Sequence, residues 1–302
     1  GGDTPCIPVQ VHRSRTLPGH ELLRVARFGH GLSPAQWEQA IRVLVDQARH
    51  GRRVLRLNLE VFVRSGMPEM REILTRYGFV TTQPRSYQDT LTLPVNADDE
   101  VLLSKRKSLR KRLREAEKCG VFVTPLLEER YGDRIVALQQ IAMQRSGGTF
   151  RIPDWNTILR FSAGHPELSC VVGMFPSAQR TEPSDLMGFG WGCMHGDHAE
   201  YRAAGAADLP TELRSVSVSH PLLWHLIRWS RDMGATWFDM GGITVKNGSD
   251  DPLAGVSQTK RVLSETVEHV GEEWVFEPTP WKSRLARQMS WTADKLSRLR
   301  NR

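Results

Sequence analysis

The stretch Trp237-Phe238-Asp239-Met240-Gly241-Gly242-Ile243 constrains the chain most, because it reads as a buried strand that stops on paired glycines. Glycines at a strand end let a ligand or another backbone approach closely. An irregular polar loop follows. Gly255-Val256-Ser257-Gln258-Thr259-Lys260 then brings a lysine back toward the strand end, ahead of Val270-Gly271. A lysine returned to that place can meet negative charge, so the chemistry is expected there.

With 302 residues, 39% apolar and 25% charged, the chain reads as globular and as two domains of ordinary size. Apolar runs such as Ser169-Cys170-Val171-Val172-Gly173-Met174-Phe175 fall far short of the roughly 20 residues that span a bilayer, so a soluble protein is expected. Gly1-Gly2-Asp3-Thr4-Pro5 has no basic segment leading into an apolar core, and no signal peptide is expected. Cys6, Cys119, Cys170 and Cys193 are too far apart for a CxxC motif and read as reduced thiols in a cytoplasm.

The net charge of +7 is unevenly placed. Lys105 to Lys118 holds eight Lys or Arg against two Glu, and Trp281 to Arg302 holds seven against one Asp. Each run is close to the whole net charge, so two basic elements sit on a mildly acidic body. That pattern suits a polyanionic partner.

Up to about residue 100 the order reads α, β, α, β. Ser33-Pro34-Ala35-Gln36-Trp37-Glu38 opens a helix with Ser as N-cap, Val54 to Val61 alternates as a strand, Met67 to Tyr77 is a helix stopped by Gly78, and Tyr87 to Pro94 is a strand. Asn96-Ala97-Asp98-Asp99 marks a junction before one long basic helix over 100–118, ended by Gly120. A strand at Val121 to Val123 follows, then helices over 132–145 and 153–163 and a strand over 168–175. A hairpin turning at Gly196-Asp197, a helix over 220–233 and the strand at 236–240 complete the order. This second section is again a mixed sheet flanked by helices.

In this order the chain resembles the Fem family of aminoacyl-tRNA-dependent aminoacyltransferases, which are built from two acetyltransferase-like (GNAT-like) domains. The matching stretches are Arg114-Glu115-Ala116-Glu117-Lys118-Cys119-Gly120-Val121, Met143-Gln144-Arg145-Ser146-Gly147-Gly148-Thr149-Phe150-Arg151, Tyr201-Arg202-Ala203-Ala204-Gly205-Ala206, Phe238 to Ile243, and Thr259-Lys260. They cover roughly residues 85 to 275. The resemblance implies an α/β (α+β) fold of two GNAT-like domains, each a mixed sheet flanked by helices. The first spans 1–99 and is completed by 272–302; the second spans 100–271 and carries the basic helix. It also implies that the last strand of the second domain delivers a lysine to the cleft, and Lys260 matches that position. The family usually has Phe before this lysine and this chain has Thr259, a departure that bears on the acceptor pocket. The long helical-hairpin insertion of larger members is missing.

The expected donor is an aminoacyl ester on tRNA, a co-substrate with no further cofactor, and the acceptor is an amine. The ester is already activated, so the enzyme must align the amine, remove a proton and stabilise the oxyanion. Lys260 is the candidate for the last task; from spacing alone it also reads as a surface lysine beside Arg261. Asp239 orients Lys260 or accepts a proton, or else caps the Gly241-Gly242 turn through backbone amides. Arg145 and Arg151 flank a Gly-Gly-Thr segment and can grip phosphate or carboxylate by forked hydrogen bonds, or else are solvated. With Tyr201, Gly241, Gly242 and Thr259 they form the expected substrate-binding set. Arg106, Lys107, Arg110, Lys111 and Arg114 are the expected tRNA contacts, the alternative being a solvated basic face.

Other chemistries are less well served. His195 and His198 flank a turn, but no carboxylate or Cys completes a metal-ligand set at helical or strand spacing, and no metal is expected. There is no GxSxG elbow and no P-loop, and Gly188-Phe189-Gly190-Trp191-Gly192 lies inside a strand pattern. An acyl-CoA-dependent N-acyltransferase would cradle pyrophosphate on a glycine-bearing loop before the helix after the hairpin, where this chain has Leu213-Arg214-Ser215-Val216-Ser217-Val218-Ser219-His220-Pro221. A non-catalytic RNA-binding protein on the same fold is the third class. Acceptors in peptidoglycan synthesis and in natural-product pathways both fit, and a monomer in the cytoplasm is expected.

Overall fold

A computed structural model describes residues 6–84, 87–146, 152–243 and 254–289. The first part of the chain runs β1 (Gln10–Arg13), β2 (Glu21–Phe28), α1 (Pro34–His50), β3 (Val54–Phe62), α2 (Met67–Arg76) and β4 (Val80–Thr82). Then come β5 (Asp89–Pro94), α3 (Asp99–Ser104), α4 (Lys107–Lys118), β6 (Phe122–Pro125), α5 (Gly132–Ser146), α6 (Trp155–Gly164) and β7 (Ser169–Phe175). They are followed by β8 (Gly188–Met194), β9 (His198–Ala206), α7 (Ser219–Asp232), β10 (Trp237–Gly242), α8 (Ala254–Arg261) and β11 (Val267–His269). Strand β12 (Gly271–Phe276) and a helix α9 over residues 280–289 close the described chain. None of the described helices is long and apolar enough to cross a membrane.

The chain divides into two compact units, residues 1–88 with 269–302, and residues 89–268. The first holds a five-stranded mixed sheet in the order β1-β2-β3-β12-β4, with β2 parallel to β3 and β12 antiparallel to both β3 and β4. Helix α1 starts as its sequence predicts: Ser33 accepts from the Gln36 amide and the Gln36 side chain accepts from the Ser33 amide, a capping box ahead of Pro34. Its buried face, Trp37, Ile41, Leu44 and Val45, packs with Leu57, Leu59 and Met70 on Trp274 and Phe276 of β12. Strand β2 escaped the pattern reading because its inward positions are Leu23, Val25 and Phe28. The register shifts between Val25 and Phe28, where Arg27 takes φ 50°, and so breaks the period of two.

The second unit holds a seven-stranded sheet in the order β11-β5-β10-β9-β8-β7-β6. Both faces are covered, which is why β7 reads as an unbroken apolar run: Cys170, Val172 and Met174 join one core with α4 and α7, and Val171 and Phe175 the other with α5 and α6. The alternate glycines of β8 also have a packing reason. A Cβ at Gly190 would lie 3.3 Å from a methyl of Leu226, and one at Gly192 would lie 3.1 Å from the Trp229 ring, so α7 rests directly on bare backbone.

Two expectations change. The strand expected within the first section, β5, pairs antiparallel with β10 in the second sheet, since sequence order does not dictate which sheet a strand joins. The single long basic helix is two helices, broken at Lys105 and Arg106. Arg106 leaves helical geometry (φ −121°, ψ 63°), and its guanidinium donates to the carbonyls of Leu102 and Leu263, both at 2.5 Å, tying the break to the end of α8.

Candidate active site

Strand β10 places alternate side chains on opposite faces: Phe238 and Met240 enter the apolar core, and Asp239 faces the other way. Asp239 is fully buried. Its Oδ1 accepts from Thr90 Oγ1 at 2.5 Å and from the Gly241 amide at 2.8 Å. The carboxylate thus caps the glycine turn through a backbone amide. Gly241 needs to be glycine twice over, with φ at 71° and a Cβ that would lie 2.7 Å from the Tyr201 carbonyl oxygen.

Lys260 reaches this turn from a helix, α8, and not from the last strand as the resemblance implied. A helix turn can aim a long side chain sideways while its backbone bonds stay satisfied internally. Lys260 is 6% exposed, donates from Nζ to the Gly242 carbonyl at 2.7 Å, and lies 5.8 Å from the centroid of the Tyr201 ring. Burial pushes its pKa down to about 8, against the opposing charges of Asp239 and Glu200. Burial also raises the pKa of the Tyr201 phenol.

Lys260, Thr259, Tyr201 and Arg145 line one cavity of about 440 Å³, whose remaining wall is mostly apolar, with Phe189, Leu222 and Leu223. Arg145 stands at the end of α5 and donates to Asp208 at 2.7 Å and to the Ala206 carbonyl at 3.2 Å, so its fork is already oriented. Arg151, expected beside it, lies outside the described residues. The loop weighed for CoA contributes Val218 and Ser219 to the same cavity, where α7 begins.

The basic helix splits by role. Lys107, Lys111 and Arg114 are exposed and Arg110 is half-buried, while Arg106 holds two carbonyls and burial lowers its pKa. Lys105, Arg106, Lys107, Gln258 and Arg261 border a second groove of about 690 Å³, so the start of the basic helix and the helix of Lys260 meet along one basic channel.

Glu200 escaped the sequence reading. It lies beside Asp239 across the parallel pairing of β9 with β10, is 1% exposed, and contacts His195 Nε2 at 3.0 Å and Arg202 at 2.9 Å. Only the strand register brings two carboxylates side by side, and spacing along the chain carries no trace of it. His198, the other histidine of that turn, stacks on Trp237 with ring centroids 4.0 Å apart and contacts Asp197. His220, buried at the start of α7 and 2.5 Å from Ser217 Oγ, is pushed down to about 4 by burial and by the charge of Arg112.

No protein-family model matches the chain, and no curated protein matches it in sequence. Solved structures do match in fold. FemX superposes with a TM-score of 0.73 at 14% identity, over 93% of this chain and 86% of that one. L-PGS from Bacillus licheniformis gives 0.53 at 10% identity, over 96% and 86%. The C-terminal domain of a putative lysylphosphatidylglycerol synthetase from Agrobacterium fabrum gives 0.54 at 12%, over 93% and 88%. The chain therefore has a mixed α/β fold of two GNAT-like units, each a mixed sheet flanked by helices.

Proposed function

We propose that the chain is an aminoacyltransferase that moves an amino acid from aminoacyl-tRNA to an amine acceptor, a peptidoglycan precursor or a natural-product intermediate, and so forms an amide. The observation that carries this reading is the ammonium of Lys260, buried in a cavity wall and fixed by the Gly242 carbonyl, on a helix that also borders a basic channel. The fold shared with FemX supports it.

In this reading the acceptor nitrogen attacks the ester carbonyl carbon, the ribose oxygen leaves, and the proton lost by the nitrogen ends on that oxygen. With a pKa of about 8, Lys260 is mostly charged at neutral pH and donates to the oxyanion as it forms. Tyr201, Thr259 and Arg145 position the bound groups. Lys107, Arg110, Lys111 and Arg114 hold RNA phosphates without reading bases, since α4 carries no aromatic side chain.

An acyl-CoA donor is the second reading, favoured by the presence of Val218 and Ser219 of the α7 entry in the cavity wall. The experiment offers the purified chain bulk tRNA charged with labelled amino acids, and separately labelled acetyl-CoA, each with amine acceptors. Base-stable amide from charged tRNA, lost in Lys260→Met, is the expected result. Amide from acetyl-CoA alone would replace the reading with the second one, and RNA binding without transfer from either donor would leave a non-catalytic RNA-binding protein.

A further inference from the structure

Small residues make the room in the cavity beside Lys260, and large apolar ones finish its wall. Ala142 of α5 and Ala204, Gly205 and Ala206 of β9 border the open space. Phe189, Leu222 and Leu223, all buried, present carbon to it. The wall is firmly backed at Gly205, where a Cβ would lie 2.7 Å from the Phe189 ring and 2.8 Å from the Leu138 backbone, so that α5 and Phe189 rest on bare strand. The polar side chains of the cavity are those of Lys260, Thr259, Tyr201, Ser219 and Arg145, and no carboxylate lines it among the described residues.

Helix α8 borders this cavity and the basic channel with different faces. Gln258 and Arg261, three residues apart, share the face on the channel, while Thr259 and Lys260 border the cavity. With RNA phosphates in the channel and the ester carbonyl at Lys260, the acyl group is what continues into the cavity. The acceptor amine needs only to reach the carbonyl carbon.

A lysyl or arginyl side chain there would set a further cation beside Lys260 and Arg145 and meet no carboxylate. A glutamyl or aspartyl one would give up its hydration to an apolar wall, with Lys260 already engaged by the Gly242 carbonyl and Arg145 by Asp208. A glycyl or alanyl group would leave Phe189, Leu222 and Leu223 uncovered, whereas a large apolar side chain covers them. We propose that the cavity selects a donor whose amino acid carries a large apolar side chain, of the size of leucine, methionine or phenylalanine. This assignment rests on the transfer reading and names the acyl group for it.

The test is calorimetric binding of the whole chain to stable analogues of aminoacyl-adenosine, in which an amide nitrogen replaces the ester oxygen, bearing leucyl, phenylalanyl, alanyl, lysyl or glutamyl groups. The leucyl and phenylalanyl compounds should bind about thirtyfold more tightly than the alanyl one, because they bury three or more extra carbons. The lysyl and glutamyl compounds should bind no better than the alanyl one. Ala142→Leu and Ala204→Leu fill the room, and each should cut the leucyl-to-alanyl ratio about tenfold. Circular dichroism shows whether these variants fold, and the wild-type series decides alone if neither does. The proposal is overturned if the alanyl compound binds as tightly as the leucyl one, if a charged group binds most tightly, if no analogue binds, or if both folded variants keep the wild-type ratio. Neither tRNA nor acceptor enters this assay. Leucyl preference without transfer from any charged tRNA would remove the transfer reading and keep the pocket, while transfer of alanyl or lysyl groups ahead of leucyl would keep the transfer reading and remove this assignment.

Discussion

Lys260 Nζ donates to the carbonyl oxygen of Gly242 at 2.7 Å, so the end of strand β10 fixes the ammonium that α8 delivers. A lysine ammonium has three N–H donors, and this bond commits one of them. The others are held in a known orientation beside the Tyr201 ring, and that preorganisation is what an oxyanion needs.

Lys260→Met should lower turnover by a factor on the order of 10²–10³ while leaving the Kd for tRNA nearly unchanged. Single-turnover transfer beside equilibrium RNA binding checks this. Lys260→Arg should not rescue the loss, because a planar fork does not fit a buried site shaped around a compact ammonium. Unchanged turnover in Lys260→Met would remove the lysine from the mechanism.

The depressed pKa of Lys260 carries two signs. Activity that needs the ammonium falls as pH rises through about 8. Stability moves the other way. Burial disfavours the charged form, so the unfolded chain binds the extra proton between about 8 and the ordinary lysine value, and unfolding becomes harder as pH rises through that window. The gain is about 3 kcal/mol at most. Urea titrations of wild type and Lys260→Met across this range isolate it, and two parallel curves would count against the burial.

Gly241→Ala should do more harm than a helix-surface Gly→Ala change. The new methyl meets the Tyr201 carbonyl in a backbone conformation that L residues avoid, so β9 and β10 must part beside Asp239. A loss of about 2 kcal/mol or more, with turnover reduced in the folded fraction, is expected. Urea unfolding at neutral pH measures the first quantity.

Neutralising Arg110, Lys111 and Arg114 together should weaken tRNA binding and flatten its salt dependence by about three phosphate contacts. Arg106→Ala should act on the fold instead, because the carbonyls of Leu102 and Leu263 lose their donor, at a cost of about 1–3 kcal/mol. Equal salt slopes for the triple variant and wild type would mean that α4 faces only water.

Much of the architecture was legible because it rests on local chemistry. The Ser33 cap, the alternation of β3, the doubly buried run of β7 and the stop at Gly241-Gly242 each announce themselves over a few residues. What escaped depends on partners far along the chain. The bulge at Arg27 hid β2, β12 joins its sheet more than two hundred residues after β2, and the helix break at Arg106 is made by a carbonyl 157 residues away. The candidate site divides in the same way. Lys260, Tyr201, Thr259 and Arg145 share a cavity, but the lysine rides a helix, and Glu200 enters only through strand register.

The bare backbone of β8 has an effect beyond packing. A Cβ at Gly188 would strike Val218 at 2.4 Å, and one at Gly190 would come into van der Waals contact with Leu222 at 3.6 Å; both partners belong to the cavity wall. The width of the chamber is thus gauged from behind, by residues that nothing bound inside it would ever touch. Changes in what the chamber admits can arise by swapping hydrogen for methyl along that strand, with every lining side chain left as it is.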